Sequence, residues 1–158
     1  MTPTIGTAGA GNTHRFTTRS GLATVEVGRK LVELLPVPQL LLLKGDLGAG
    51  KTTLVKGVVA ALAAADPDEV TSPTFTLLHE YDGEWQGKAV KLLHLDVYRL
   101  EGERQLESLG LDDLLTDDAL VLVEWGDKFA SLRKRATGTI EIASVQGDER
   151  TITVTLKS

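Results

Sequence analysis

At 158 residues, with 42% hydrophobic and 25% charged residues and a formal net charge of −5, the chain suits one globular domain with a proper core. The negative balance excludes an overall basic field for nucleic acid, so any RNA contact is local or made through a partner. With no cysteine there are no disulfides, zinc–thiolate sites or cysteine nucleophiles, which fits a reducing cytoplasm, and no run approaches the roughly 18 apolar residues of a membrane span.

Residues 1–13, rich in Gly, Thr and Ala and lacking the apolar stretch of a signal peptide, are expected to form a disordered extension ahead of a domain over 14–158. Residues 14–18 read as a short edge strand. Ser20 then suits the N-cap of a helix reaching Leu35, with Leu22, Val25, Leu31, Val32 and Leu35 as its apolar stripe; Pro36 and Pro38 end it. The run Gln39-Leu40-Leu41-Leu42-Leu43 reads as a buried parallel strand.

Gly45-Asp46-Leu47-Gly48-Ala49-Gly50-Lys51-Thr52 follows, a complete G-x-x-x-x-G-K-[ST] pattern, and residues 53–65 read as a helix that Asp66-Pro67-Asp68 stops. Strand, glycine loop and helix in this order form a phosphate cradle. The glycines let the backbone curl so that successive N–H groups face phosphate oxygens, and the helix N-terminus adds partial positive charge. Lys51 can reach the β- and γ-phosphates, and the Thr52 hydroxyl can sit on Mg²⁺. The pattern predicts binding of a nucleoside triphosphate.

Residues 74–81 and 88–95 read as two strands of a hairpin turning at Asp82-Gly83. A short helix over 101–109, a turn near 112–115, a buried strand over 119–123 and a helical stretch over 127–135 come next. Two alternating strands, 139–143 and 151–156, close the chain around Gln146-Gly147-Asp148. These elements make one α/β layer structure, mostly parallel at its centre, with antiparallel edge strands and flanking helices.

Two apolar strands end in a carboxylate, Leu92-Leu93-His94-Leu95-Asp96 and Leu120-Val121-Leu122-Val123-Glu124. In an open α/β sheet, ligands lie outside the carboxyl ends of strands, so both acids are candidates to converge on the phosphates. Asp96 has the form of a metal-holding acid; Glu124 can ligate Mg²⁺ or polarise water. The polar segment Thr71-Ser72-Pro73-Thr74 lies where nucleotide switches place a hydroxyl that senses the γ-phosphate. Arg99 suits either phosphate neutralisation or pairing with an acid. His79 and His94, inside strands, read as packed or hydrogen-bonded rather than catalytic. Arg133-Lys134-Arg135 reads as a solvated helix face, with a lid or a small RNA contact as alternatives.

Five motifs occur in order: Gly45 to Thr53, Ser72-Pro73-Thr74-Phe75-Thr76-Leu77, His94-Leu95-Asp96-Val97-Tyr98-Arg99-Leu100, Leu109-Gly110-Leu111, and Glu124-Trp125. Together they resemble the TsaE family, the small bacterial ATPase of tRNA threonylcarbamoyladenosine biosynthesis. The resemblance implies a single-domain P-loop NTPase fold, ATP and Mg²⁺ as cofactors, and a cytoplasmic protein. It also implies work with the TsaB–TsaD complex, which performs threonylcarbamoyl transfer to the adenosine beside the anticodon of ANN-decoding tRNAs. Contact with tRNA is then indirect or through the complex. Carried onto this chain, Gly45 and Gly48, Ala49, Gly50, Lys51, Thr52 and Thr53 bind phosphates, Thr52 ligates Mg²⁺, and Asp96 and Glu124 form the acidic pair. Lys51, Asp96 and Glu124 are the implied catalytic set. Thr74 lies in the switch-like segment, Trp125 beside the nucleotide, and Gly21 and Arg150 approach it.

Two other functions compete. A stand-alone small-molecule kinase using the same loop needs an acceptor pocket and an arginine-rich lid, for which only Arg133 and Arg135 are available. A signalling GTPase needs an Asn-Lys-x-Asp guanine reader and an Asp-x-x-Gly switch, and neither is present. The missing guanine reader favours ATP.

Overall fold

The computed structural model describes residues 4–7 (backbone only), 12–46, 48–73 and 77–157. The elements in chain order are β1 (Thr4–Thr7), β2 (Thr13–Thr18), α1 (Gly21–Leu34), β3 (Gln39–Lys44), α2 (Lys51–Ala61), β4 (Leu78–Trp85) and β5 (Lys88–Asp96). They continue with α3 (Glu103–Glu107), α4 (Leu111–Leu114), β6 (Ala119–Glu124), α5 (Ala130–Arg135), β7 (Gly138–Ser144) and β8 (Arg150–Leu156). Among the described residues, eight strands form one sheet in the order β1-β2-β8-β7-β3-β6-β5-β4.

The four central strands, β7, β3, β6 and β5, run parallel, and the pairs flanking them are antiparallel. The reason lies in burial. Leu41 and Leu43 of β3 join the core under α1 and α2, while Leu40 and Leu42 join the core under α3, α4 and α5. A strand covered on both faces has no polar side to present, hence its unbroken apolar sequence. From His79 onward β4 alternates half-buried with exposed positions, as strands near an edge do, and in β2 Phe16 and Thr18 are buried while Arg15 is exposed. This is the P-loop α/β fold expected from the sequence. No helix among the described residues is long and apolar enough to cross a membrane.

Several local expectations are corrected. Ser20 caps α1 as expected, its hydroxyl accepting from the Ala23 N–H at 3.1 Å. The expected stripe of α1 holds at Leu31, Val32 and Leu35, but its N-terminal half runs through Ala23, Thr24, Val27 and Gly28 instead, with Val25 half-buried and Leu22 79% exposed. α1 and α2 touch at two glycines. A Cβ on Gly28 would lie 2.1 Å from the Leu54 carbonyl oxygen, and one on Gly57 2.0 Å from that of Val25.

The β4–β5 hairpin turns at Gln86-Gly87 (φ 51° and 80°), not at Asp82-Gly83. Gly83 serves another contact: the Glu84 N–H donates to the Leu62 carbonyl at 2.9 Å, and a Cβ on Gly83 would sit 2.5 Å from that oxygen. The segment expected to trail from the domain includes Thr4–Thr7, which pairs antiparallel with β2. Arg133, Lys134 and Arg135 are exposed, as expected of a solvated face.

Candidate functional site

Parallel register brings the two strand-end acids side by side. Asp96 is paired with Glu124 across β5 and β6, and Glu124 with Leu43 across β6 and β3. Side chains alternate faces along a strand, and Leu92, Leu120 and Leu122 belong to the core under α2. His94, Asp96 and Glu124 therefore project toward the α2 side, where the glycine loop ends. All three are buried, at 0%, 6% and 4% exposure.

The loop itself leaves β3 at Gly45, whose Cα packs against β7 so closely that a Cβ would lie 2.7 Å from the Ile142 carbonyl oxygen. Gly48 and Gly50 have positive φ, 80° and 107°, the conformation that curls the backbone before α2. The Ala49 N–H is turned back onto the Asp46 carbonyl at 2.9 Å. The N–H groups at the start of α2 have no acceptor within the helix and are directed at whatever lies before it.

Lys51 bridges loop and acids. Its Nζ donates to the Gly45 carbonyl at 2.6 Å and stands 3.2 Å from Glu124 Oε1. The other carboxylate oxygen, Oε2, accepts from His94 Nε2 at 2.7 Å. Burial pushes the Glu124 carboxyl up. The hydrogen bond from His94, the favourable fields of His94 and Lys51 and the Lys51 hydrogen bond together outweigh it and hold the group below its ordinary value. Asp96 is oriented by the Tyr98 N–H, which donates to its Oδ1 at 2.9 Å.

These groups face one cavity of about 480 Å³. The loop and α2 contribute Gly48, Gly50, Lys51, Thr52 and Thr53 to its wall, and the opposite wall carries Ser72, Asp96 and Glu124. Two exposed aromatic residues form its rim: Tyr98 and Trp125 have ring centroids 4.9 Å apart. Trp125 is held there by a left-handed backbone (φ 65°), which a residue with a bulky side chain adopts only under constraint from its surroundings. Lys128 lies over the Tyr98 ring at 5.5 Å.

The remaining predicted residues sort into a second place. Gly21, Ala49 and Arg150 line a cleft of about 150 Å³ on the other side of the same loop, which shares Gly48, Gly50 and Thr53 with the main cavity. Arg150 Nε donates to the Ala49 carbonyl at 2.9 Å, so the guanidinium braces the loop. Thr74 lies outside the described residues. Sequence reasoning gave no site role to Thr24, buried in the small cleft with its hydroxyl 2.9 Å from that of Thr18. Nor did it give one to His94, although its spacing of two from Asp96 on one strand was a signal that they share a face.

The residue types suit Mg²⁺ with a triphosphate: a hydroxyl and two carboxylates, all hard oxygen donors, beside a glycine-rich loop and a lysine. Among the described residues no cluster of three or more His, Cys, Asp or Glu is arranged to enclose a metal. Mg²⁺ in phosphate sites is held by one or two carboxylates plus the phosphates themselves.

A family model described as threonylcarbamoyl adenosine biosynthesis protein TsaE matches residues 18–152. The chain belongs to the TsaE family. The tRNA threonylcarbamoyladenosine biosynthesis protein TsaE of Treponema pallidum is 36% identical over 140 residues, covering 89% of this chain and 98% of that one. The protein of the same name from Nostoc sp. is 37% identical over 131 residues, covering 80% and 75%. Among solved structures, Bacillus subtilis YdiB is similar with a TM-score of 0.66 and 26% identity, covering 98% of this chain and 88% of that one. In this TsaE-family chain the match spans the glycine loop, both acids and Arg150, that is, both clefts around the loop.

Proposed function

We propose that the chain is a Mg²⁺-dependent ATPase required for threonylcarbamoyladenosine modification of the adenosine next to the anticodon in ANN-decoding tRNAs. It acts in the cytoplasm with the TsaB–TsaD complex, which performs the transfer. The observation that carries the ATPase reading is the convergence of Lys51, Glu124 and Asp96 on one side of a positive-φ glycine loop. Family membership supports the pathway.

In this reading the loop from Gly48 to Thr53, with Ala49 closing its turn and the other amides facing inward, and the Lys51 ammonium bind and orient the phosphates. Gly45 lets the loop start close to β7, and Gly21 and Arg150 flank the remainder of the nucleotide. Thr52, Asp96 and Glu124 would hold Mg²⁺, which when bound neutralises phosphate charge. Glu124, ionised although buried, and Asp96 orient the water that attacks the γ-phosphorus. The bond to the β–γ bridging oxygen breaks, giving ADP and inorganic phosphate. Trp125 and Tyr98 cover the cavity mouth, and Thr74 belongs to the adjoining switch-like segment.

The test is ATP turnover measured alone, with the TsaB–TsaD complex, and with the complex and tRNA. Slow hydrolysis alone and strong stimulation by the complex are expected. Brisk turnover without a partner, or transfer of phosphate to an added metabolite, would favour the stand-alone kinase instead.

A further inference from the structure

We propose that His94 is a positioning residue for Glu124: it holds the carboxylate in its working orientation after Lys51 has moved from it to the phosphates. The inference rests on the reading of Glu124 given above. Glu124 has two anchors among the described residues, one on each oxygen, Lys51 at 3.2 Å and His94 at 2.7 Å. Phosphate binding draws on Lys51, because the loop lysine is the residue that reaches the β- and γ-oxygens. Among the described residues, the contact that then still holds the carboxylate is His94.

Three observations mark His94 as more than a packed ring. It is fully buried in a strand whose neighbours on either side are leucines, a place where an apolar side chain carries no desolvation cost. Its Nδ1 is buried and has no hydrogen-bond partner among the described residues. The contact with Glu124 is thus the hydrogen bond the ring makes among the described residues. A carboxylate only accepts, so the proton of this contact is carried on Nε2, facing Glu124. Finally, His94 sits on β5 rather than on the loop, so nucleotide binding does not displace it. A donor on a rigid element behind a working carboxylate is the arrangement by which supporting residues fix their partners, and its removal typically lowers function about 10–100-fold.

The experiment uses full-length protein and three readouts: nucleotide affinity by ADP titration, kcat for ATP with the partner complex present, and the imidazole N–H proton by NMR. His94→Leu removes the donor; His94→Gln places an amide N–H near the position of Nε2. For His94→Leu, ADP affinity within about threefold of wild type and kcat lower by about 10–100-fold are expected, with most of that loss restored in His94→Gln. In wild-type protein the His94 Nε2–H proton is expected to exchange slowly with water, and to be lost or to exchange rapidly in Glu124→Ala. Wild-type kcat in a folded His94→Leu variant would overturn the proposal. So would equal losses of affinity and kcat without rescue by Gln. Should His94→Leu fail to fold, the NMR comparison decides: an imidazole proton indifferent to Glu124→Ala removes the contact on which the proposal stands. Failure of the ATPase reading is separate, and shows as wild-type protein without turnover in any mixture.

Discussion

Lys51 is held by the Gly45 carbonyl and by Glu124, and its ammonium has a third N–H to offer a phosphate oxygen. Lys51→Ala should weaken ADP binding at least about tenfold, from the loss of a charge-assisted hydrogen bond of about 1.5–3 kcal/mol. In the nucleotide-free protein it should also lower stability by about 1–3 kcal/mol, since Glu124 is left buried with His94 alone. Thermal denaturation and an ADP titration check the two halves, and unchanged affinity would remove Lys51 from phosphate binding. Glu124 also predicts an acid limb. Its folded pKa lies below the ordinary value of about 4.3, so its ionised form stabilises the fold above that value. The contribution is lost as pH falls through the lowered folded value. Denaturant midpoints followed from about pH 6 to about pH 3 should fall less steeply for Glu124→Gln than for wild type. Equal slopes would mean that Glu124 is not held ionised by its neighbours.

Between elements, the contact of α1 with α2 sets where the glycine loop ends, because α2 begins at Lys51. The helices approach through Gly28 and Gly57, and the atoms that a Cβ would strike are backbone atoms, which cannot swing aside. Alanine at Gly57 improves helix propensity by about 1 kcal/mol, but overpacking costs about 1–3 kcal/mol and here involves a rigid neighbour. Gly57→Ala should therefore lower the urea midpoint, and a rise would show that the helices separate freely. The hairpin makes the same point about tertiary context. Asp-Gly is the stronger turn signal, yet Gly83 stays in β4 because the end of α2 comes down on it at the Leu62 carbonyl. Gln86 and Gly87, both with positive φ, then supply the two-residue turn. The shift in the first half of the α1 stripe follows from the same close approach: Gly28, which adds nothing to an apolar pattern, marks the face that packs tightest.

Taken whole, the molecule presents its cavity on one edge of the sheet, at the carboxyl ends of β3, β5 and β6, with exposed Tyr98 and Trp125 at the mouth. No arginine among the described residues lines that cavity. Lys51 is the cation that lines the cavity among the described residues, and with no arginine beside it turnover in isolation should be slow. Addition of the partner complex is expected to raise kcat by about tenfold or more, read as phosphate release. No change on adding the complex would separate ATP hydrolysis from the modification reaction. The strand β3, the glycine loop and the helix α2 were legible in the sequence because each is set by consecutive residues: apolar runs, glycines and caps act on their own backbone. The acids at strand ends and the parallel centre of the sheet were legible for the same reason. What only the tertiary structure decided is which side chains meet across strands. Glu124 joins Lys51 and His94, far apart in sequence, because the register of β5, β6 and β3 is set by burying whole strand faces, a condition no local segment contains.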